Sequence, residues 1–188
     1  AGLDTRRLTL ILRDRGVMRG ALPTENLDVV RLRALATQAT DMSALSPVGE
    51  VSRPAPEPWG ESVAPAWIAH APEGSMSREA APHVAVIDCG IKRNILRLLT
   101  GLGARVTVYP WDAPPESILA AQPDGVLVSN GPGDPRQVAV TVEHLRALMA
   151  RLPVYGICLG HQLLALASGA RIYKLPFGHH GGNHPVQE

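Results

Sequence analysis

Between His83 and Gly156 the chain alternates short apolar runs with helical segments, and that rhythm restricts it to few folds. Val84-Ala85-Val86-Ile87 reads as a buried strand, a helix follows from Lys92 to Thr100, and Arg105 to Tyr109 reads as the next strand. A helix around Pro115 to Ala121 leads to the strand Gly125 to Ser129, a Gly/Pro loop, a helix near Val138 to Met149 and the strand Pro153 to Gly156. Strands that are apolar at successive positions are covered on both faces, and connections long enough to hold a helix join parallel neighbours. The expected fold class is therefore α/β, a mostly parallel sheet with flanking helices. In such sheets ligands lie outside the carboxyl ends of the strands, which directs attention to the loops after Ile87, Ser129 and Gly156.

Upstream the pattern is more fragmentary. Asp4 can cap a helix with apolar positions Leu8, Ile11 and Leu12, and Gly16 supplies a stop. A second helical pattern runs near Val29 to Thr37, Ser46-Pro47 breaks it, and Val48 to Ser52 reads as a short strand. Six prolines interrupt Arg53 to Pro82, where Ala66-Trp67-Ile68-Ala69 is the one strand expected. The expected domains are 1–52, part of a small N-terminal α+β domain; 53–82, a proline-rich connection; and 83–188, the N-terminal part of the sheet domain.

Charge excludes some partners. The 18 Lys and Arg nearly balance 17 Asp and Glu, so the overall charge implies neither nucleic acid nor an anionic membrane surface. The three tryptophans are too scattered to form a stacking platform for bases. Two cysteines far apart in sequence do not form a secreted disulfide framework, and neither a signal peptide nor a membrane span is legible, so a cytoplasmic location is expected. The missing initiator Met and the ending at Val186-Gln187-Glu188 suggest a piece of a longer chain.

The chemistry concentrates at Gly156-Ile157-Cys158-Leu159-Gly160-His161-Gln162, where a strand ends and a helix opens. Glycines two positions to either side let the backbone bend sharply and present Cys158 to a cleft, as in a nucleophile elbow. A thiolate at a helix N-terminus is favoured by unpaired amides and the dipole. The Leu159 amide is placed to donate to an oxyanion. Buried cysteines in ordinary turns are common, but the glycine spacing favours the elbow.

Ser129-Asn130-Gly131-Pro132-Gly133-Asp134-Pro135 ends a neighbouring strand and reads about equally as a plain turn or as a loop whose amides approach a small ligand. No Gly-Lys-Ser or Gly-Lys-Thr follows, so ATP binding is not assigned to this chain. His179, His180 and His184 crowd one Gly-rich segment, yet thiolate partners for a structural zinc are lacking, and no metal site is assigned. His161, three residues after Cys158, is a weaker candidate base than a helix-packing residue. Cys89 reads as a small core residue, Asp88 as a strand-end carboxylate without a role, and Lys92-Arg93-Asn94 as a solvated helix start.

Taken together, Gly-Ile-Cys-Leu-Gly-His-Gln after a strand, preceded by Asn-Gly-Pro-Gly-Asp-Pro, resembles the class I (triad) glutamine amidotransferases. Within that class, Ile-Asp-Cys-Gly-Ile-Lys-Arg-Asn-Ile-Leu-Arg (87–97), Phe-Gly-His-His-Gly-Gly-Asn-His-Pro-Val (177–186) and Leu3-Asp4-Thr5-Arg6 are similar to the small subunits of carbamoyl-phosphate synthetases. The resemblance spans nearly the whole chain, is weakest across the connection, and keeps four motifs in the family's order.

The resemblance implies a subunit that hydrolyses L-glutamine and passes ammonia to a large subunit, for arginine and pyrimidine biosynthesis. By motif match Cys158 is the nucleophile, Gly131 and Leu159 supply oxyanion-hole amides, and Gly131, Gly133, Leu159 and Gln162 bind glutamine. No cofactor is expected in this chain, ATP and Mg being used by the large subunit. The family's His-Pro-Glu motif, which completes the triad, is expected farther along: His184-Pro185 is followed by Val186, so residues 1–188 alone are expected to be inactive. The alternatives are an amidotransferase of another pathway, such as anthranilate or guanylate synthesis, and an inactive docking fragment.

Overall fold

The structure is a computed structural model that describes residues 2–24, 28–41, 44–63, 81–176 and 178. It divides into two compact units, Ala1–Asp41 with Tyr173–Glu188, and Met42–Ile172.

In the first unit, helix α1 (Thr5–Arg15) begins where an Asp4 side-chain oxygen accepts from the Arg7 amide at 2.8 Å. It ends at Gly16, whose φ of 81° suits glycine and whose amide donates to the Leu12 carbonyl. Arg13 and Arg15 lie in its last turn, the negative end of the helix dipole. Helix α2 (Val29–Gln38) is capped by Asp28, which accepts from the amides of Val30 and Arg31. Arg19 donates to the carbonyls of Thr37 and Ala39 and so satisfies the far end of α2. Neither helix buries a residue.

The second unit is built on a five-stranded sheet in the order β1-β3-β2-β4-β5. Its strands are β1 (Glu57–Trp59), β2 (His83–Asp88), β3 (Arg105–Pro110), β4 (Gly125–Val128) and β5 (Val154–Gly156). All neighbours are parallel except β1, which runs antiparallel to β3. The helices are α3 (Val48–Val51), α4 (Arg93–Gly101), α5 (Pro115–Ala120), α6 (Ala139–Met149) and α7 (Leu159–Ala167), with a 3-10 turn at Pro135–Gln137. The expected α/β class is therefore the observed one.

Why the strands are apolar at successive positions is visible in the two cores. Ala85, Ile87, Val126 and Val128 face one side and pack with Ile118, Leu145, Leu148 and Leu163 from α5, α6 and α7. Val86, Leu127, Val106 and Val108 face the other and meet Leu96 of α4. With a two-residue side-chain period, a strand buried on both faces needs an apolar residue at every position.

Two expectations upstream are corrected. Val48 to Ser52 forms a helical turn, not a strand: the Glu50 amide donates to Pro47 and the Ser52 amide to Val48. Val48 and Val51 stand three apart, which is helical spacing, and Val48 is fully buried. Within the supposed connection 53–82, Glu57–Trp59 pairs with β3 as an edge strand, where Pro58 needs no partner on its open side. Trp59 is flanked by Arg53 and Arg93 at 5.2 and 5.6 Å from its ring centre, and Glu61 pairs with Arg93 and Arg97. The stretch 44–63 thus folds with the sheet. The expected strand Ala66 to Ala69 lies outside the described residues, as do His179, His180 and His184.

Among the described residues, no helix is long and apolar enough to cross a membrane.

Candidate active site

The loops after β2, β4 and β5 meet at the carboxyl end of the sheet. The Ile157 amide donates to the Val128 carbonyl and the Gly160 amide to the Ser129 carbonyl, both at 3.0 Å, so the turn after β5 is stitched to the end of β4. Cys158 occupies that turn at φ 54° and ψ −109°, a conformation side chains other than glycine's rarely adopt. Holding it costs on the order of 1–3 kcal/mol, which the surrounding packing must offset. The side chain is exposed at the N-cap of α7 and makes no capping hydrogen bond.

The flanking glycines are needed for space. A Cβ on Gly156 would lie 2.5 Å from the backbone of Gly160 and His161, and one on Gly160 would lie 2.1 Å from the Val128 carbonyl oxygen. Strand and helix approach so closely that only hydrogen fits. Leu159, next to Cys158, is 1% exposed and anchored in the main core, which fixes the direction of its amide. As the first residue of α7 it has no intrahelical acceptor for that amide.

Gly131 lies against the same turn. A Cβ there would fall 2.1 Å from the Cys89 carbonyl oxygen and 2.8 Å from a Leu159 methyl. No acceptor for the Gly131 or Leu159 amides occurs among the described residues. Gly133, at φ 91°, packs on the Pro47 ring. Gln162 is exposed one turn into α7, its amide bonded to the Cys158 carbonyl. Cys158, Gly131 and Leu159 therefore gather at one place, with Gln162 on the adjoining turn and Gly133 two residues along the loop. His161 is exposed on α7 and bonds no described carboxylate.

The second cysteine is chemically different. Cys89 is fully buried, and burial, with the nearby Asp88 charge as the lesser cause, pushes its thiol up to about 12. Iodoacetamide at pH 8 is expected to alkylate Cys158 in the folded chain and to reach Cys89 only after denaturation, as peptide mapping would reveal. Modification of both at similar rates would contradict this burial.

Sequence reasoning left Asp88 without a role, and the structure assigns it one. It is 3% exposed; one oxygen accepts from the amides of Gly90 and Ile91, and the other accepts from the Arg53 amide and faces its guanidinium at 3.5 Å. The Asp-x-Gly spacing, typical of an Asx turn, is the signal that could have found it.

A family model for class-I glutamine amidotransferases matches residues 85–188. The chain belongs to this family. The elbow cysteine and Gly-rich loop thus sit in a domain of this family, and the whole chain matches curated relatives. It is 44% identical over 190 residues to the carbamoyl phosphate synthase small chain of Thioalkalivibrio sulfidiphilus, covering 100% of this chain and 49% of that protein. It is likewise 44% identical over 188 residues to the small chain of Syntrophotalea carbinolica, covering 99% and 49%. To that of Vibrio cholerae it is 42% identical over 192 residues, covering 100% and 50%. The chain spans about half the length of the curated relatives it matches.

Proposed function

We propose that this polypeptide carries the nucleophile and oxyanion donors of the glutamine-hydrolysing domain of a carbamoyl phosphate synthase small chain, which acts with a large chain as a heterodimer. The observation that carries the reading is Cys158 at positive φ, exposed at the start of α7 and adjoining the Gly131–Leu159 contact. The match of the whole chain to the small-chain relatives supports it.

In this reading the Cys158 thiolate attacks the carboxamide carbon of L-glutamine, forming an S–C bond and moving the carbonyl electrons onto oxygen. The amides of Gly131 and Leu159 donate to that oxyanion, and they do so best where water is excluded and no internal acceptor competes. Gly133 and Gln162 hold the rest of the substrate. Collapse of the intermediate breaks the C–N bond, and ammonia leaves once its nitrogen is protonated. Water then cleaves the thioester to glutamate and restores the thiol. The proton transfers need a histidine-like group, assigned to the His and Glu that the family resemblance places farther along the chain. No cofactor enters these steps. Ammonia passes to the large chain, where ATP and Mg are used.

The test is the acceptor. The polypeptide carrying these residues, mixed with a carbamoyl phosphate synthase large chain, bicarbonate and ATP, is expected to confer synthesis from glutamine on a large chain that otherwise needs ammonia. Glutamine use that couples to anthranilate or guanylate synthesis instead would overturn the assignment.

A further inference from the structure

We infer that Asn130 is a positioning residue that aims the Gly131 amide at the reacting carbonyl oxygen, an inference that rests on the functional reading above. Asn130 immediately precedes Gly131. Its side-chain oxygen accepts from the Lys92 amide at 3.2 Å and its side-chain nitrogen donates to the Gly90 carbonyl at 3.1 Å. One carboxamide therefore clasps both a donor and an acceptor of the loop that follows β2. The adjoining residue continues the clasp: the Ser129 hydroxyl accepts from the Cys89 amide at 2.9 Å and donates to the Asn130 carbonyl at 2.8 Å.

These bonds bring the Cys89 carbonyl against Gly131, where a Cβ would stand 2.1 Å from it. The Cys89 carbonyl leaves no room for a side chain at Gly131, and the peptide that carries the Gly131 amide is held at its own carbonyl by the Ser129 hydroxyl, so turning it breaks the clasp. The loop after β2 is itself held from behind by buried Asp88 through the amides of Gly90 and Ile91. Orientation is thus passed from a buried carboxylate, through one loop and one side-chain amide, to an amide donor. Oxyanion donors lose effect steeply when mis-aimed, whereas thiol nucleophilicity does not depend on them.

Asn130→Asp tests this with nearly unchanged shape. The carboxylate can still accept from Lys92 but cannot donate to Gly90, and it sets two oxygens face to face. Two reagents separate aim from integrity. Iodoacetamide alkylates any accessible thiolate, whereas a glutamine-shaped chloroketone, with CH2Cl in place of the amide nitrogen, presents a carbonyl oxygen to the amide donors while the thiolate displaces chloride. The expected result is a fall of roughly tenfold to a hundredfold in saturable chloroketone labelling, with the iodoacetamide rate within about twofold of the unmodified chain. Asn130→Ala, which adds no charge, is expected to behave alike and serves if the aspartate variant does not fold.

Equal labelling of variant and unmodified chain, with labelling of the latter saturable and blocked by glutamine, overturns the inference and leaves the functional reading standing. A parallel fall with both reagents also overturns it, since the elbow itself would then be disturbed. If the unmodified chain shows no glutamine-blocked labelling, the functional reading fails and the inference with it.

Discussion

In a small chain that carries these residues, Cys158→Ser is expected to abolish glutamine-supported carbamoyl phosphate synthesis, by on the order of a thousandfold or more, while ammonia-supported synthesis continues unchanged. A serine hydroxyl fills nearly the same volume in the exposed turn at φ 54°, so the elbow keeps its geometry. What is lost is the intrinsic nucleophilicity of sulfur; an alcohol needs a strong base in the transition state, and the donors alone then sustain only residual catalysis. Ammonia added directly bypasses the site. Measuring both rates with the same large chain separates the outcomes: loss of both would mean that Cys158 serves assembly, and loss of neither would remove it from the chemistry.

Gly160→Ala is expected to destabilise the sheet unit by about 3 kcal/mol or more and to eliminate labelling of Cys158 by glutamine analogues. Two effects compete. Alanine in a helix is ordinarily favoured over glycine by about 1 kcal/mol, because glycine loses more backbone freedom. Here the new methyl would stand 2.1 Å from the Val128 carbonyl oxygen, 2.6 Å from its carbon and 2.9 Å from the Ser129 oxygen, all backbone atoms of β4 and its end. Backbone in the centre of a sheet cannot yield by that much, so the clash wins. The start of α7 would have to move, and with it the Leu159 amide and the bond from Gly160 to Ser129. Gly169→Ala is the control: nothing lies within 4 Å of its Cβ, and its φ of 86° leaves only strain of about 1–2 kcal/mol. Urea unfolding of the two variants gives the comparison, and a Gly160→Ala chain as stable as the unmodified one would refute the close-packed turn.

What could be read from the residues alone follows from how local each signal is. The strands near 84–87, 105–109 and 125–129 announce themselves because burial leaves continuous apolar runs, the one near 153–156 because it lies between a helix and the Gly-Ile-Cys turn, and all lie within a residue or two of β2, β3, β4 and β5. Cys158 is legible because the glycines that give it room are only two residues away on either side. Edge strand β1 was hidden: its three residues sit among prolines, and what makes them a strand is pairing with Val106, Thr107 and Val108, some fifty residues later. Helix α3 was misread because a four-residue turn carries too few apolar positions to show a period, and its place depends on Val48 entering a core that other segments build. Asn130 and Asp88 were passed over for a similar reason. The Gly90 and Lys92 partners of Asn130 and the Arg53 partner of Asp88 are distant in sequence; the Asp-x-Gly spacing shows the local Asx turn at Asp88 but not the ion pair behind it, and Asn130 beside a glycine looks like any turn.

If Cys158 meets the carboxamide of glutamine, glutamine protects that thiol from a reagent of its own shape. The chain would be treated with the glutamine-shaped chloroketone at increasing concentrations of L-glutamine, and the labelled residue read by peptide mass analysis. The expected result is saturable labelling at Cys158 and not at Cys89, slowed by L-glutamine in a concentration-dependent way and unaffected by D-glutamine. Labelling of Cys158 at a rate indifferent to L-glutamine would contradict it.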